Sequence, residues 1–534
     1  MASPISYRRI RLAAFVGFVL LGAAWATATP YDGAPDERDH ILRAYGVVTG
    51  QIFLAPEDAA LGGGGFVLAP RSLDADRCWQ FSPGENASCA GSPGQDETVE
   101  RLATSAGRNS PFYYALVGLP VALAPNWTGV ILARLISVLL CAALLANALA
   151  DALRWGRYRI MAAGVLAATT PMVAHLVGSV NPSALELAAS IAFFAAAVPL
   201  LLHPDGRRDS TLLGHAGIAG LALGTTRMLG PLWLALAVLV LLAPWRRATL
   251  RELWAWRRAR GWALVIASAT VGGGLWTLLS RGADANPYFR PEQQVSAVRV
   301  VWTELQSWSR YVDEMVGVFS WLDARMPEVG YLIWPLVGGS LVLWGYVVSD
   351  RGGRLRLASL AGVGILAPMS ISVLLANTFG FITQGRYLLP LLVGLPILAT
   401  YLIGRDDAIS AGRAGSIVRL TVVALLPLQL LALVFTMQRW QLGQGIGAGL
   451  NLLDTPWRPP LGPVVPLVAA VAGLGLLGRL AWAGTAGRGA PGSRAPQGSE
   501  GPVATQVHQQ ETDLQGQRDD RVRALDRRPR HRTT

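Results

Sequence analysis

The sequence contains no lysine and few charged residues of any kind. Charged side chains make up 15% of the 534 residues, while 52% are hydrophobic; soluble proteins carry about a quarter charged residues. The basic residues are all arginine, which is typical of a high-GC coding bias and says little about mechanism. A net charge of +12 would suit a nucleic-acid partner, but the arginines lie between apolar blocks, as in cytoplasmic loops of membrane proteins. We therefore expect no nucleic-acid binding.

The hydrophobic residues come in blocks long enough to cross a bilayer. Residues 12–28, 131–150 and 463–481 are examples, each close to the ~20 apolar residues that one crossing needs. Backbone polar groups cannot stay unpaired in lipid, so each block must be a helix, and the alternation of a membrane barrel is absent. The sequence predicts an all-α integral membrane protein with about 12 transmembrane helices.

Arginine placement predicts the orientation. Arg8, Arg9 and Arg11 precede the first block, which we interpret as an uncleaved helix with a cytoplasmic N-terminus. Alternate counting then places nearly every arginine-rich loop inside, with both termini cytoplasmic, in a bacterial plasma membrane. The expected spans are about 11–29, 128–150, 160–178, 183–202, 212–226, 229–244, 261–279, 329–348, 357–376, 387–404, 418–436 and 463–482.

The remaining segments complete the domain organisation. Two long segments, 30–127 and 280–328, are expected outside the cell membrane, so that 1–482 forms one polytopic domain. The tail 483–534 is rich in Gly, Pro, Ser, Gln and Arg with almost no large apolar residues, which predicts a disordered cytoplasmic tail. Its arginines suit contact with membrane lipids.

Two of the three cysteines, Cys78 and Cys89, share the first long polar segment, whereas Cys141 lies inside an apolar block. An oxidising compartment would allow Cys78 and Cys89 to form a disulfide. The spacing does not place their Cβ atoms, so a disulfide and two free thiols both remain open.

Polar residues that suit chemistry follow the first span. On a helix starting near Pro35, Asp36, Glu37 and His40 share one face. Proline in the first turn and acids near the N-terminus also suit a well-capped interfacial helix, and spacing alone favours that role. The alternative is a site in which Asp36 or Glu37 acts as a base or binds a metal, helped by His40.

Four motifs carry a resemblance to a known family. The chain resembles the domain-of-unknown-function family 2142 over most of residues 11–480, and members of that family resemble the GT-C glycosyltransferases, which take sugars from polyprenyl-phosphate donors. The motifs are Pro-Asp-Glu with His and Arg-Ala-Tyr at 35–45, Ser-Pro-Phe-Tyr-Tyr at 110–114, Ser-Val-Asn-Pro-Ser-Ala at 179–184, and Gln-Gly-Arg-Tyr-Leu-Leu-Pro at 384–390.

The resemblance implies a GT-C-like fold and a role for the acids. In GT-C enzymes an acid just after the first span lies at the outer membrane face, the place that Asp36 and Glu37 occupy. Such a carboxylate would take the proton of an acceptor hydroxyl on a cell-envelope glycan or lipid, and a single displacement would invert the sugar. The leaving polyprenyl phosphate needs a cation, for which we expect Arg386 first and Arg227 second, or a divalent metal.

The other motifs supply expected substrate contacts and one departure. His40, Asn181 and Tyr113 are the remaining substrate-binding candidates. Many GT-C members carry an acid where Asn181 stands, so metal dependence stays open, and Glu186 is the nearest substitute.

Two other functions remain open. A non-catalytic envelope-assembly scaffold needs no converging site, whereas a transporter or flippase for lipid-linked glycan needs a polar path through the spans. Charges inside the predicted spans are few, which argues against transport.

Overall fold

The computed structural model of the chain is dominated by helices. It describes residues 6–53, 64–74, 78–91, 93–94, 96–203, 205–244, 247–280, 294–381, 383–405, 408–444 and 451–483. The predicted disordered tail lies outside the described residues except for its first residue.

Helices, with a few short strands between them, follow one another along the described chain. The helices are α1 (Tyr7–Ala28), α2 (Glu37–Val48), α3 (Pro111–Leu123), α4 (Trp127–Trp155), α5 (Met161–Ala168), α6 (Pro171–Val177), α7 (Pro182–Leu202), α8 (Ser210–Thr226), α9 (Gly230–Leu242), α10 (Arg247–Ala255), α11 (Arg257–Leu279), α12 (Ala297–Gln306), α13 (Trp308–Gly317), α14 (Glu328–Val348), α15 (Arg351–Phe379), α16 (Gly385–Leu392), α17 (Gly394–Arg405), α18 (Ala411–Leu442) and α19 (Val464–Ala483). Short 3-10 helices occupy Arg71–Leu73, Ala87–Cys89, Arg157–Arg159 and Gly206–Arg208. The strands are β1 (Phe66–Pro70), β2 (Val99–Ala103), β3 (Val318–Phe319) and β4 (Ala324–Arg325).

The prediction of an all-α multi-pass membrane protein is confirmed. In the described part, nine helical segments are long and apolar enough to cross a membrane, and α16 with α17 counts as one of them. The pair α5–α6, bent by 66°, makes a tenth if it is counted as one broken span. Pro171, at the start of α6, cannot donate a helical hydrogen bond across the break. The predicted fifth and sixth spans are the helices α8 and α9, whose 17 and 13 residues fall short of the ~20 that a full crossing needs.

Small side chains bring the central helices together. The helix α7 is buried along most of its length and is rich in alanine, including Ala188, Ala192 and Ala195. Small residues let helix backbones approach closely where lipid provides no hydrophobic driving force. In contrast, α11 has no buried residue among those described, as expected of a helix facing lipid.

The first long segment, 30–127, contains an apolar helix as well as polar residues. It contains α2, the antiparallel pair β1–β2 with Phe66 opposite Ala103, and the apolar helix α3. Cys78 and Cys89 form a disulfide in this segment. Residues of this segment next to Asp36, together with the loops before α7 and α16, build the candidate site.

Candidate functional site

The site is centred on Asp36, which immediately precedes α2. Its backbone is left-handed, with φ of 63°, and its side chain does not cap the helix that follows. Aspartate tolerates this conformation better than most residues, although it is sparsely populated. The carboxylate Oδ2 instead accepts a hydrogen bond from Arg386 Nη2 at 2.8 Å. Its side chain is 35% exposed. Asp36 therefore forms a solvent-accessible ion pair with Arg386 instead of capping α2.

Arg386 lies at the start of α16 and is buried, with 4% of its side chain exposed. Its Nη2 group also contacts Tyr387 Oη at 3.0 Å. Its Nε and Nη1 groups donate to no atom of the described residues. A buried guanidinium with unused donors is unfavourable unless an anion completes its hydrogen bonding. Arg386 therefore combines a carboxylate partner with two buried donors that no described residue uses.

Glu37 is fully buried beside Asp36 and pairs with Arg134. Arg134 Nε and Nη2 donate to its two carboxylate oxygens at 2.8 and 2.6 Å, and Val180 N–H donates to Oε1 at 3.0 Å. Arg134 also donates to the carbonyls of Ala26, Thr29 and Pro30. These bonds join the end of α1, the start of α2 and α4. The geometry gives Glu37 a structural role and leaves no access for the catalytic or metal-binding one predicted from sequence.

His40 lies one turn into α2 and contacts Tyr114. Its Nδ1 is 2.8 Å from Tyr114 Oη, which also accepts from Asn109 Nδ2 at 2.9 Å. Burial, and then the charges of Arg227 and Arg386, lower the pKa of His40 to about 3, despite the opposing effect of Asp36. His40 is therefore neutral near pH 7.

Tyr113, which was predicted to contact the substrate, is packed in the hydrophobic core and does not face His40. Its hydroxyl donates to Ser137 Oγ at 3.0 Å, within a buried cluster that includes Val117 and Ala133. Tyr114, its neighbour in the same motif, is the tyrosine that joins the site. On a helix, adjacent residues point in different directions, and the motif alone did not indicate which of the two faces α2.

Arg227 and Asn181 complete the set of predicted residues. Arg227 hydrogen-bonds Ser183 Oγ, its Nε lies 3.8 Å from Glu186 Oε2, and its guanidinium is 5.0 Å from the Tyr387 ring centre. Asn181 caps α7 by accepting from Ser183 N–H at 2.9 Å and donates to the Pro35 carbonyl at 3.0 Å. Asn181 thus holds the residue before Asp36 in place.

The electrostatics of Asp36 follow from this arrangement. Burial acts to raise the pKa of its carboxyl, but the charge and hydrogen bond of Arg386, together with the charge of Arg227, outweigh it and hold the pKa below its ordinary value. Asp36 is therefore ionised at neutral pH and can accept a proton.

Glu314, on α13, is a site residue that the sequence analysis missed. Its buried carboxylate accepts from Gly385 N–H at 2.7 Å through Oε2 and from Arg310 Nη1 at 2.9 Å through Oε1. A side chain at Gly385 would place a Cβ 2.5 Å from the Tyr311 carbonyl oxygen, so only glycine permits this close approach. Glu314 holds the residue that directly precedes Arg386, a contact across 71 residues that no local pattern predicts.

Among the described residues, no group of three or more His, Cys, Asp or Glu side chains is arranged to hold a metal ion. The positive charge beside Asp36 comes from the guanidinium groups of Arg386 and Arg227, which fit an anionic ligand.

Comparison with known proteins identifies the family. The model of the predicted membrane protein family DUF2142 matches residues 18–395. The chain belongs to this family. Asp36, Tyr114, Asn181 and Arg386 all lie within the matched DUF2142 region, and the resemblance noted from the sequence motifs is confirmed.

Two solved structures are similar to this DUF2142 protein. ArnT from Cupriavidus metallidurans bound to undecaprenyl phosphate matches with a TM-score of 0.40 and 16% identity, covering 91% of this chain and 79% of ArnT. The apo state of the same protein matches with a TM-score of 0.38 and 16% identity, covering 87% and 75%. Similarity at this level assigns neither an activity nor a ligand to the chain. Among curated proteins, none matches the sequence.

Proposed function

We propose that this DUF2142 protein is a GT-C-like glycosyltransferase, which moves a sugar from a polyprenyl-phosphate donor to a cell-envelope acceptor. The observation that carries the proposal is the pairing of Asp36, an ionised and partly exposed carboxylate, with Arg386, whose Nε and Nη1 groups have no partner among the described residues. A base beside an anion-binding group is what transfer from a phosphate carrier requires.

Binding of the donor is the first step of the proposed mechanism. The phosphate of the donor accepts hydrogen bonds from Arg386, since charge-assisted bonds to guanidinium are strong and match phosphate geometry. Arg227, beside the same Tyr387 ring, is the second cation. A phosphate on Arg386 competes with Asp36 for the guanidinium, and the weakened ion pair leaves the Asp36 carboxylate more basic.

The transfer step uses that basicity. The acceptor hydroxyl gives its proton to Asp36 while its oxygen forms a bond to the anomeric carbon of the sugar. The bond between that carbon and the phosphate oxygen breaks, and the polyprenyl phosphate leaves as an anion held by Arg386 and Arg227. One displacement inverts the anomeric configuration.

The remaining site residues position this pair. Glu37 and Asn181 hold the start of α2 from two sides, and Glu314 holds the start of α16. His40 is neutral and hydrogen-bonded to Tyr114, and it contributes shape and a polar contact for the substrate.

The proposal is tested in a strain lacking the protein. Asp36→Asn and Arg386→Ala are each expressed at wild-type level, and lipid-linked sugars and envelope glycans are profiled. We expect the glycan change of the deletion to persist with both variants and to be reversed by Asp454→Asn, a control acid that is 94% exposed. Full restoration by both site variants would contradict the enzymatic function and favour a scaffold.

A further inference from the structure

A surface groove lies between α1 and α4, at the end of α1 far from Asp36. Its volume is about 450 Å³. One wall is a stripe of α1 residues spaced three or four apart: Arg8, Arg11, Leu12 and Phe15. The other wall is a stripe of α4 formed by Ala143, Ala146 and Asn147. Two alanines on this second stripe leave room that larger side chains would fill.

The register of the two helices is marked by a partly buried contact between Tyr7 and Asp151. Tyr7 Oη donates to Asp151 Oδ1 at 2.6 Å, and the chain directions are opposite. Both helices rise by about 1.5 Å per residue. Two residues that are the same number of positions away from this contact, one on each helix, therefore lie at the same level along the helix axes. Arg11 therefore lies level with Asn147, and Phe15 lies level with Ala143.

The groove is consequently polar at one end and apolar at the other. Arg8, Arg11 and Asn147 lie toward the start of α1, and Leu12, Phe15 and Ala143 lie deeper along the bundle. No carboxylate lines the groove, and neither arginine forms an ion pair with a described residue. Arginines at the end of a membrane helix extend toward lipid headgroups, so the cations lie at headgroup depth and the apolar half at acyl-chain depth.

We propose that this groove binds one anionic phospholipid from the leaflet in which α1 begins. The phosphate lies between Arg8 and Arg11, Asn147 contacts the headgroup, and an acyl chain runs along Leu12, Phe15 and Ala143. The apolar half of the groove indicates a lipid ligand, because a free phosphate would contact only the two arginines. This site is separate from Asp36 and does not depend on the proposed transferase activity.

The test measures lipid binding to the purified full-length protein. Phosphatidylglycerol and phosphatidylcholine with identical acyl chains are compared by native mass spectrometry. We expect wild type to retain phosphatidylglycerol preferentially, and the Arg8→Gln/Arg11→Gln double variant to lose about 30-fold in affinity. A matched control, Arg9→Gln/Arg413→Gln, removes the same charge from exposed positions outside the groove and should bind as wild type does.

A second variant keeps every charge. Ala143 is exposed at the apolar end, so Ala143→Leu fills the groove with little risk to folding, and it should also weaken phosphatidylglycerol binding. Equal loss in the two double variants would show general surface attraction and overturn the proposal. Unchanged binding in Ala143→Leu, or displacement of the lipid by inorganic phosphate, would also overturn it.

Discussion

Asp36 and Arg386 lie 350 residues apart in the chain, and their side chains meet at 2.8 Å. The contact joins the segment after the first span to the start of α16. In the proposed mechanism Asp36 and the donor phosphate compete for Arg386, because the guanidinium that neutralises Asp36 also holds the phosphate. Occupation of Arg386 by phosphate is thereby coupled to the basicity of Asp36.

Glu37 and Asp36 are predicted to differ sharply on substitution. Glu37→Gln leaves Arg134 buried without its counter-charge, which costs about 3–5 kcal/mol. Asp36→Asn also removes a counter-charge, that of Arg386, but the Asp36 side chain is 35% exposed, so water can replace part of the lost interaction and the destabilisation should be smaller. Thermal unfolding in detergent should therefore show a larger fall in Tm for Glu37→Gln than for Asp36→Asn. A Tm for Glu37→Gln equal to wild type would contradict the structural role of the Glu37–Arg134 pair.

Activity is predicted to depend on pH through Asp36 and not through His40. The pKa of Asp36 is held below its ordinary value, so the ionised base is present at neutral pH and is lost only when pH falls through that lowered value. His40, with a pKa of about 3, stays neutral between pH 5 and 8. The rate of sugar transfer should show no step near pH 6.5. A step there that disappears in His40→Gln would assign the titrating group to His40.

Glu314 is predicted to act through the carboxylate oxygen that accepts a hydrogen bond from Gly385 N–H, and not through its negative charge. Glu314→Ala removes the hydrogen bond to Gly385 N–H and should weaken polyprenyl-phosphate binding, because Arg386 loses its position. Glu314→Gln retains an oxygen acceptor and should restore most of the affinity. Asp313→Asn, on the neighbouring residue, serves as the control. If the Glu314→Gln and Glu314→Ala variants bind polyprenyl phosphate equally poorly, the negative charge of Glu314 and not its hydrogen bond positions Arg386.

The disulfide gives a prediction about topology. Cys78 and Cys89 are bonded, so a membrane-impermeant thiol reagent should label neither in intact cells until a reductant is added. Reporter fusions at residues 90 and 300 should be external, and fusions in 246–260 cytoplasmic. Labelling without reductant would contradict the disulfide, and the reverse pattern of fusions would contradict the expected orientation.

Much of the fold was predictable because bilayer crossing is a local constraint. A run of apolar residues must be helical in lipid, and the twelve predicted segments are helical along most of their length, two of them as pairs of helices. The apolar helix α3 was not predicted as an element, because its 13 residues are too few for a crossing.

The site was predictable only in part, for the same physical reason. Asp36, His40 and Arg386 were identified from motifs and Arg227 from its position between the predicted fifth and sixth spans, and the structure brings them together. The buried partner of Glu37 is Arg134, a contact over 97 residues, and spacing could not distinguish that structural role from a catalytic one. The choice of Tyr114 over Tyr113 depends on the rotation of α3 against α2, which the motif does not specify.

Equilibrium binding of undecaprenyl phosphate to the purified protein tests the central claim most directly. Arg386→Ala should lower the affinity by about tenfold to a hundredfold, since it removes charged hydrogen bonds. Asp36→Asn should raise it by up to about fivefold, because it removes the competitor for Arg386. Equal affinities for wild type, Arg386→Ala and Asp36→Asn would contradict the assignment of this pair as base and phosphate ligand.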